Sequence, residues 1–231
     1  MTGETIIFEG KNYLVKTFLG KGKSAHSYLI INDFESLVLK VIHDEPCPYY
    51  EFQDKFKSEI AAYNRLINLG INVPGLKGVN EAKRWIFKDF IDGNTAAHHI
   101  ATNQLTDDHF AELFKMAETA KETGLNLDYF PTNFVLGGNK LYYVDYEINP
   151  YHEDWNLENW GLFYWVNNKG MKKFLDTGDA SAINADQEKG IPIKEPFILE
   201  VKRIIQKYSK IKWNRNIAFL YSFFSTIDEV N

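Results

Sequence analysis

The sequence predicts an α+β fold in two lobes: a strand-rich N-terminal part, residues 1–91, and a mainly helical C-terminal part, residues 92–231. Three observations lead there. Before residue 45, short β-branched and aromatic runs alternate with turn residues. After Gly93, apolar residues recur at helical spacing. And 231 residues, 45% hydrophobic and 15% aromatic, suffice for a sizeable core.

Thr5–Phe8 and Tyr13–Phe18 read as strands joined by the turn Glu9-Gly10-Lys11-Asn12. A glycine-bearing stretch, 19–25, leads to a strand at His26–Ile31. Asn32-Asp33 turn the chain into a third strand, Leu37–Ile42. Pro46 and Pro48 make 44–49 a loop. Phe52, Phe56, Ile60, Tyr63 and Ile67 define one helix face, and Gly70 ends that helix. Two short strands are expected at Val73–Val79 and Arg84–Phe90, with a turn at Asp92-Gly93-Asn94.

Thr106-Asp107-Asp108 open the next helix as a cap with acids in its first turn. Phe110, Leu113, Phe114, Ala117 and Ala120 form its apolar stripe, and Gly124 closes it. Asn133–Leu136 and Leu141–Tyr146 make a hairpin through Gly137-Gly138-Asn139. Helices are expected at Glu153–Asn167, Pro196–Tyr208 and Asn216–Phe224, with a polar loop at Asp176–Pro192. Trp155, Trp160 and Trp165 recur at five-residue steps. They read as the core of a buried helix, or as an aromatic pocket for a cation, with Glu153, Asp154 and Glu158 adding negative charge.

The net charge of −5 argues against a bulk-electrostatic nucleic-acid binder. A lone Cys47 excludes an internal disulfide and a cysteine-rich zinc site, and suggests a reducing, cytoplasmic home. The N-terminal residues do not read as a signal peptide, and no run approaches the roughly 20 apolar residues of a membrane span. Lys202, Arg203, Lys207, Lys210 and Lys212 make the last helices basic, as a solvated face or as a docking surface for an acidic protein partner. His98-His99 point about 100° apart on a helix and read as surface histidines rather than as a metal site.

The chemistry lies in a set of polar residues. Gly20-Lys21-Gly22 sits between two strands, so a dinucleotide-binding turn, which needs a helix, is excluded. A phosphate loop of the Walker type fails because its leading glycine would fall at Thr17. What remains is a glycine-rich hairpin over phosphates, or an ordinary hairpin turn. Lys40 ends an apolar strand, and Glu59 follows 19 residues on, in the next helix. Such a pair can hold an ammonium against the α- and β-phosphates of a nucleotide; it also occurs as a surface lysine and a solvated glutamate. Asp128 and Asn133 stand five residues apart, and Asp145 twelve further on. Each alone is ordinary turn chemistry. Together they supply one carboxylate to accept a hydroxyl proton and two oxygen ligands for Mg²⁺, the needs of phosphoryl transfer.

Taken in order, these residues resemble a small bacterial member of the protein-kinase-like superfamily, from about Tyr13 to about Leu162. Leu19–Ala25 resembles the glycine-rich loop, with Ala25 in place of its third glycine. Lys40 matches the nucleotide lysine and Glu59 its helix partner. Asp89–Gly93 fits the hinge between lobes. Asn126 through Asn133 resembles the catalytic loop, and Asp145-Tyr146-Glu147 takes the place of Asp-Phe-Gly. The resemblance implies ATP and Mg²⁺. Gly20, Gly22 and Ser24 are then expected over the phosphates, with backbone groups of Asp89 to Ile91 on adenine. Asp128 is expected to accept the proton, and Asn133 and Asp145 to hold the metal.

Three departures refine this expectation. Asn126 replaces a scaffolding histidine. Glu147 replaces a glycine, and Asp-aromatic-Glu in this place is similar to choline-kinase and aminoglycoside-phosphotransferase relatives. Only 15 residues separate Asp145 from Trp160, and no Ala-Pro-Glu follows, so the activation segment is short. A small-molecule hydroxyl is therefore expected over a protein serine or threonine, although small atypical serine/threonine kinases also lack this segment. The alternative is a nucleotide-binding pseudokinase acting as a scaffold or regulator.

Overall fold

The structure, a computed structural model, describes residues 1–45 and 54–209. Expectations resting on Pro46, Cys47, Pro48, Phe52, Lys210, Lys212 and the helix Asn216–Phe224 lie outside the described residues.

Six antiparallel strands form the N-terminal sheet: β1 (Thr5–Phe8), β2 (Lys11–Lys21), β3 (Ala25–Ile31), β4 (Ser36–Ile42), β5 (Leu76–Asn80) and β6 (Trp85–Asp89), in the order β1-β2-β3-β4-β6-β5. The first hairpin is tighter than expected, with only Glu9 and Gly10 at its tip. Both have positive φ, 49° and 75°, the pattern of a two-residue turn matched to strand twist. One face of the sheet buries Ile6, Tyr13, Val15, Ile30, Leu37, Leu39 and Phe87. The other carries Ala25, Ile42 and Ile86 against Phe56 of helix α1 (Lys55–Asn68).

Asp54 caps α1, accepting hydrogen bonds from the amides of Phe56 and Lys57. Gly70, at φ +71°, ends the segment as expected. Helix α1 faces two ways. Phe56 packs on the sheet, whereas Ala62 and Leu66 join the larger core of the C-terminal lobe with Leu113, Phe134, Tyr143 and Trp165. The helix is thus wedged between lobes, and its buried Glu59 is held at their junction.

The C-terminal lobe contains β7 (Gly93–Thr95), α2 (Ala96–Ala101), α3 (Asp107–Glu122), β8 (Leu125–Leu127), β9 (Phe134–Gly137), β10 (Lys140–Tyr143), β11 (Ile148–Pro150), α4 (Leu162–Trp165), α5 (Asn168–Thr177), the ribbon β12 (Asn184–Asp186) and β13 (Ile191–Pro192), and α6 (Ile198–Tyr208). Strand β7 extends the β9–β10 hairpin to three strands, and β11 pairs with β8.

Several local expectations are corrected. Gly93-Asn94 is strand rather than turn, because β7 pairs with β9 in register with Gly137 and Leu136. Val73 and Pro74 precede β5, and the Gly75 carbonyl accepts from the Asp89 amide (2.8 Å) just before that strand begins. The return strand stops at Tyr143, since the Val144 amide turns to the Asn133 carbonyl (2.8 Å). The long helix expected at Glu153–Asn167 is broken. A 3₁₀ turn at Glu153–Trp155 precedes Asn156, whose side chain accepts from the Asn159 amide (2.7 Å) and restarts the chain as a π turn leading into α4. Trp155 is accordingly exposed while Trp165 is buried, donating to the Tyr129 carbonyl (2.8 Å). The stretch Asp176–Pro192 is not all loop: it takes in the end of α5, a 3₁₀ turn and the whole β12–β13 ribbon. On the basic helix α6, Lys207 is engaged with Asp107 (2.5 Å). Among the described residues, no helix is long and apolar enough to cross a membrane.

A Cβ at Gly93 would run into the backbone carbonyl of Leu136, which has no flexible end to move aside. Gly93→Ala should therefore lower stability by about 2–3 kcal/mol, read as a fall in the urea midpoint with an unchanged slope.

Candidate active site

Lys40 is the centre of the site. It sits near the end of β4, between Ser27 of β3 and Ile86 of β6 in register, and is 5% exposed. A buried ammonium needs partners. Lys40 Nζ donates to Glu59 Oε1 at 2.8 Å and to Asp145 Oδ1 at 2.7 Å. The pair expected from sequence is therefore formed, and Asp145 completes it from the other lobe. Burial pushes the Lys40 ammonium toward losing its proton, but the two carboxylates outweigh burial, and its pKa is raised. Asp145 is held low, chiefly by Lys40.

A second lysine, unforeseen in the sequence, shares the same glutamate. Lys88 of β6 lies opposite Val38 of β4, is 2% exposed, and donates to Glu59 Oε1 at 2.5 Å. Burial opposes the Glu59 charge, yet Lys40 and Lys88 together hold its carboxyl below the usual range. Lys88 bonds a single carboxylate, Glu59, with a weaker attraction from Asp145, and is repelled by Lys40. Burial, the largest effect, pulls its pKa down to about 8. The ring of Tyr146 lies below both lysines, 3.8 Å from Lys88 Nζ and 5.8 Å from Lys40 Nζ, and the same ring lies 6.3 Å from that of Tyr63 on α1. Two charged residues closing the run Trp85-Ile86-Phe87-Lys88-Asp89 look like the end of a strand, so nothing in that pattern marks Lys88 as buried.

The C-terminal half of the site is tied together by another residue that sequence reasoning missed. The Tyr143 hydroxyl is buried, donates to the Glu147 carbonyl (2.8 Å), and accepts from the amides of Glu147 (2.9 Å) and Asp128 (3.1 Å). The Asp128 amide also donates to the Glu147 carbonyl, at 3.0 Å. One phenol thus joins the loop bearing Asp128 to the turn bearing Asp145. A tyrosine buried in a strand needs such a partner, which is the signal available in the sequence. Asn133 lies one turn beyond Asp128, its side-chain amide donating to the Asp128 carbonyl at 3.4 Å. Burial is the main reason that the Asp128 carboxyl is raised, and Glu147 adds to it. Asn126 is buried and donates to the His152 carbonyl (2.9 Å), pinning the short segment after Asp145.

A cavity of about 490 Å³ opens between the lobes. Of the expected residues, Gly20, Gly22, Lys40, Asp89, Ile91, Asn133 and Asp145 line it. Glu59 stands behind Lys40, whereas Ser24 and Asp128 are not part of its wall. The hairpin tip lies close over the floor: a Cβ at Gly22 would stand 3.3 Å from Asp145 Oδ2, and Lys23 pairs with Glu147 at 2.9 Å. The Asp89 amide is taken by the Gly75 carbonyl, and its carboxylate pairs with Lys77 (2.8 Å). Phe90 and Ile91 line the cavity beside it. A larger groove, about 610 Å³, runs along α3 on the C-terminal lobe. It lacks the convergence of buried charge that marks the cleft between lobes.

An antiparallel sheet with one buried-glutamate helix, joined to a mainly helical lobe around this cleft, is a two-lobed fold of the protein-kinase type. No protein-family model matches the chain. No curated protein matches it either. Among solved structures, it is similar to crystal structures of the Mycobacterium tuberculosis PknI kinase domain, one of them of a mutant. Each is 21% identical over 63% of this chain, with TM-scores of 0.40 to 0.41. The chain spans about three-fifths (61–62%) of those kinase-domain chains.

The depressed Lys88 makes stability depend on pH. Folded Lys88 loses its proton near pH 8, whereas in the unfolded chain it keeps it to about 10.4. Between these values the unfolded chain binds more protons, so stability rises with pH. From pH 8 to 9.5, wild type should gain stability relative to Lys88→Met, at no more than about 1.4 kcal/mol per pH unit. Urea melts across this range measure it; a difference that stays flat would mean that Lys88 is not depressed.

Proposed function

We propose that the chain is an ATP- and Mg²⁺-dependent phosphotransferase that moves the γ-phosphate to a hydroxyl group, of a small molecule in preference to a protein serine or threonine. The observation that carries this reading is Lys40, buried and bonded at once to Glu59 and Asp145 at the wall of the cleft. An ammonium fixed there suits the α- and β-phosphates of a nucleotide whose base lies toward Phe90 and Ile91 and whose phosphates lie under Gly20 and Gly22.

The donor set fits a hard divalent cation. Asp145 engages Lys40 through Oδ1 and is 48% exposed toward the cleft, and Asn133 adds an amide oxygen at the same wall. These two residues would hold Mg²⁺, which neutralises charge on the transferring phosphate. Asp128 takes the proton of the acceptor hydroxyl as its oxygen bonds the γ-phosphorus and the bond to the β,γ-bridging oxygen breaks, releasing ADP. A carboxyl raised by burial is better matched to accepting a proton than an ordinary aspartate. The short segment after Asp145 supports the small-molecule preference. Strand β11 and the Asn126–His152 bond tie it back against β8, so it offers little extended surface for a peptide.

Incubation with γ-labelled ATP and Mg²⁺, first alone, then with a metabolite pool and with a generic protein substrate, tests this. Label should move to a small molecule, and Asp128→Ala and Asp145→Ala should each lower the rate by about a hundredfold or more. Label on protein instead would reassign the acceptor. Mg·ATP binding without turnover in any arm would make the chain a pseudokinase.

A further inference from the structure

We propose that His26, His43 and Glu45 form a second metal site, of the zinc class, at the root of the glycine-bearing hairpin and outside the phosphotransfer machinery. One nitrogen of each imidazole and one carboxylate oxygen of Glu45 lie within 4.8 Å of one another. The backbone brings them together. His26 is the second residue of β3, in register with Val41 of β4, and His43 follows directly on that strand. The two rings stand 4.9 Å apart, tilted by 51°.

A second observation points to a ligand. His43 Nε2 lies 3.3 Å from the Gly22 carbonyl. With the proton on that nitrogen, Nδ1 carries the lone pair, and Nδ1 is shut off from solvent without a hydrogen-bond partner. A metal-bound imidazole has this pattern, one nitrogen fixed on a backbone acceptor and the other on the ion. An unmatched buried nitrogen otherwise has no compensation. The Glu45 carboxylate pairs with Lys21 at 2.5 Å. Lys21 is therefore the internal competitor that an ion must share the carboxylate with or displace.

Ligand type separates this site from the cleft. Two imidazoles and one carboxylate suit Zn²⁺, or Co²⁺ as its substitute, and leave a fourth position for water. The all-oxygen pair Asn133 and Asp145 suits Mg²⁺. The site also grips the hairpin: the His43 amide donates to the Ser24 carbonyl (3.0 Å), its ring bonds Gly22, and Lys55 donates to the carbonyls of Lys23 (3.1 Å) and Glu45 (2.5 Å). An ion on His26 and His43 would stake down residues 22–24, the part of the hairpin that overhangs the cleft.

Titration calorimetry of the full chain with Zn²⁺ in a non-chelating buffer tests the assignment without reference to phosphotransfer. Co²⁺ absorption serves as a second readout. About one Zn²⁺ should bind per chain, and His26→Gln and Glu45→Gln should each weaken it at least about tenfold. His109→Ala, in the separate histidine group near His98 and His99, should leave it unchanged, and circular dichroism without metal should match wild type in each variant. Absence of binding below millimolar Zn²⁺, or binding that survives the combined His26→Gln and His43→Gln variant, would overturn the proposal.

Discussion

Burying a carboxylate such as Glu59 costs several kcal/mol unless cations surround it. Here two lysines do so from adjacent strands, Lys40 of β4 and Lys88 of β6. The arrangement fixes more than one charge. Glu59 is on the helix wedged between lobes, so holding it also seats Phe56 on the sheet and Leu66 in the C-terminal core. Lys40 reaches across to Asp145, so the same network ties the lobes together at the cleft. A lone lysine that left Glu59 for a phosphate would strand a buried anion. With Lys88 in place, Glu59 would keep a cation if Lys40 turned to a phosphate, as the proposed function requires.

Tyr146 and Tyr143 extend this network into the C-terminal lobe. Tyr146 lays its ring beneath both ammonium groups and faces Tyr63 of α1. Tyr143, three residues earlier, uses its hydroxyl to lock Asp128 to the turn that carries Asp145. The loop that carries Asp128 and the turn that carries Asp145 are therefore held against each other. Their spacing rests on a phenol buried in the core rather than on the flexible ends of the loops.

How far the sequence discloses this depends on the kind of signal. Lys40, Glu59, Asp128, Asn133 and Asp145 stand out in the sequence because charged and amide residues at ordered spacings, on identifiable elements, carry a chemical pattern; the structure pairs Lys40 with Glu59 and Asp145. The strands near Thr5, His26 and Leu37 were legible from residue type and turn chemistry. Lys88 was not, because its burial follows from lying opposite Val38 next to α1, a long-range pairing that local pattern does not encode. Asp92-Gly93-Asn94 has the composition of a turn, whereas in the fold the missing side chain of Gly93 serves close approach to Leu136. The break between Glu153 and Trp165 leaves little mark in the sequence, because the helical composition there is continuous while a single Asn156 cap decides otherwise. Helix α5 has an apolar stripe of only a few residues, Met171, Phe174 and Leu175, too short to stand out.

Lys40 and Asp145 are proposed to form one nucleotide-and-metal site. Calorimetric titration with ATP, in the presence and absence of Mg²⁺, tests it most directly, using wild type, Lys40→Met and Asp145→Asn. Expected are Mg²⁺-dependent binding to wild type, a large loss in Lys40→Met, and residual binding that no longer responds to Mg²⁺ in Asp145→Asn. No binding to wild type, or binding that is the same in all three proteins, would contradict it.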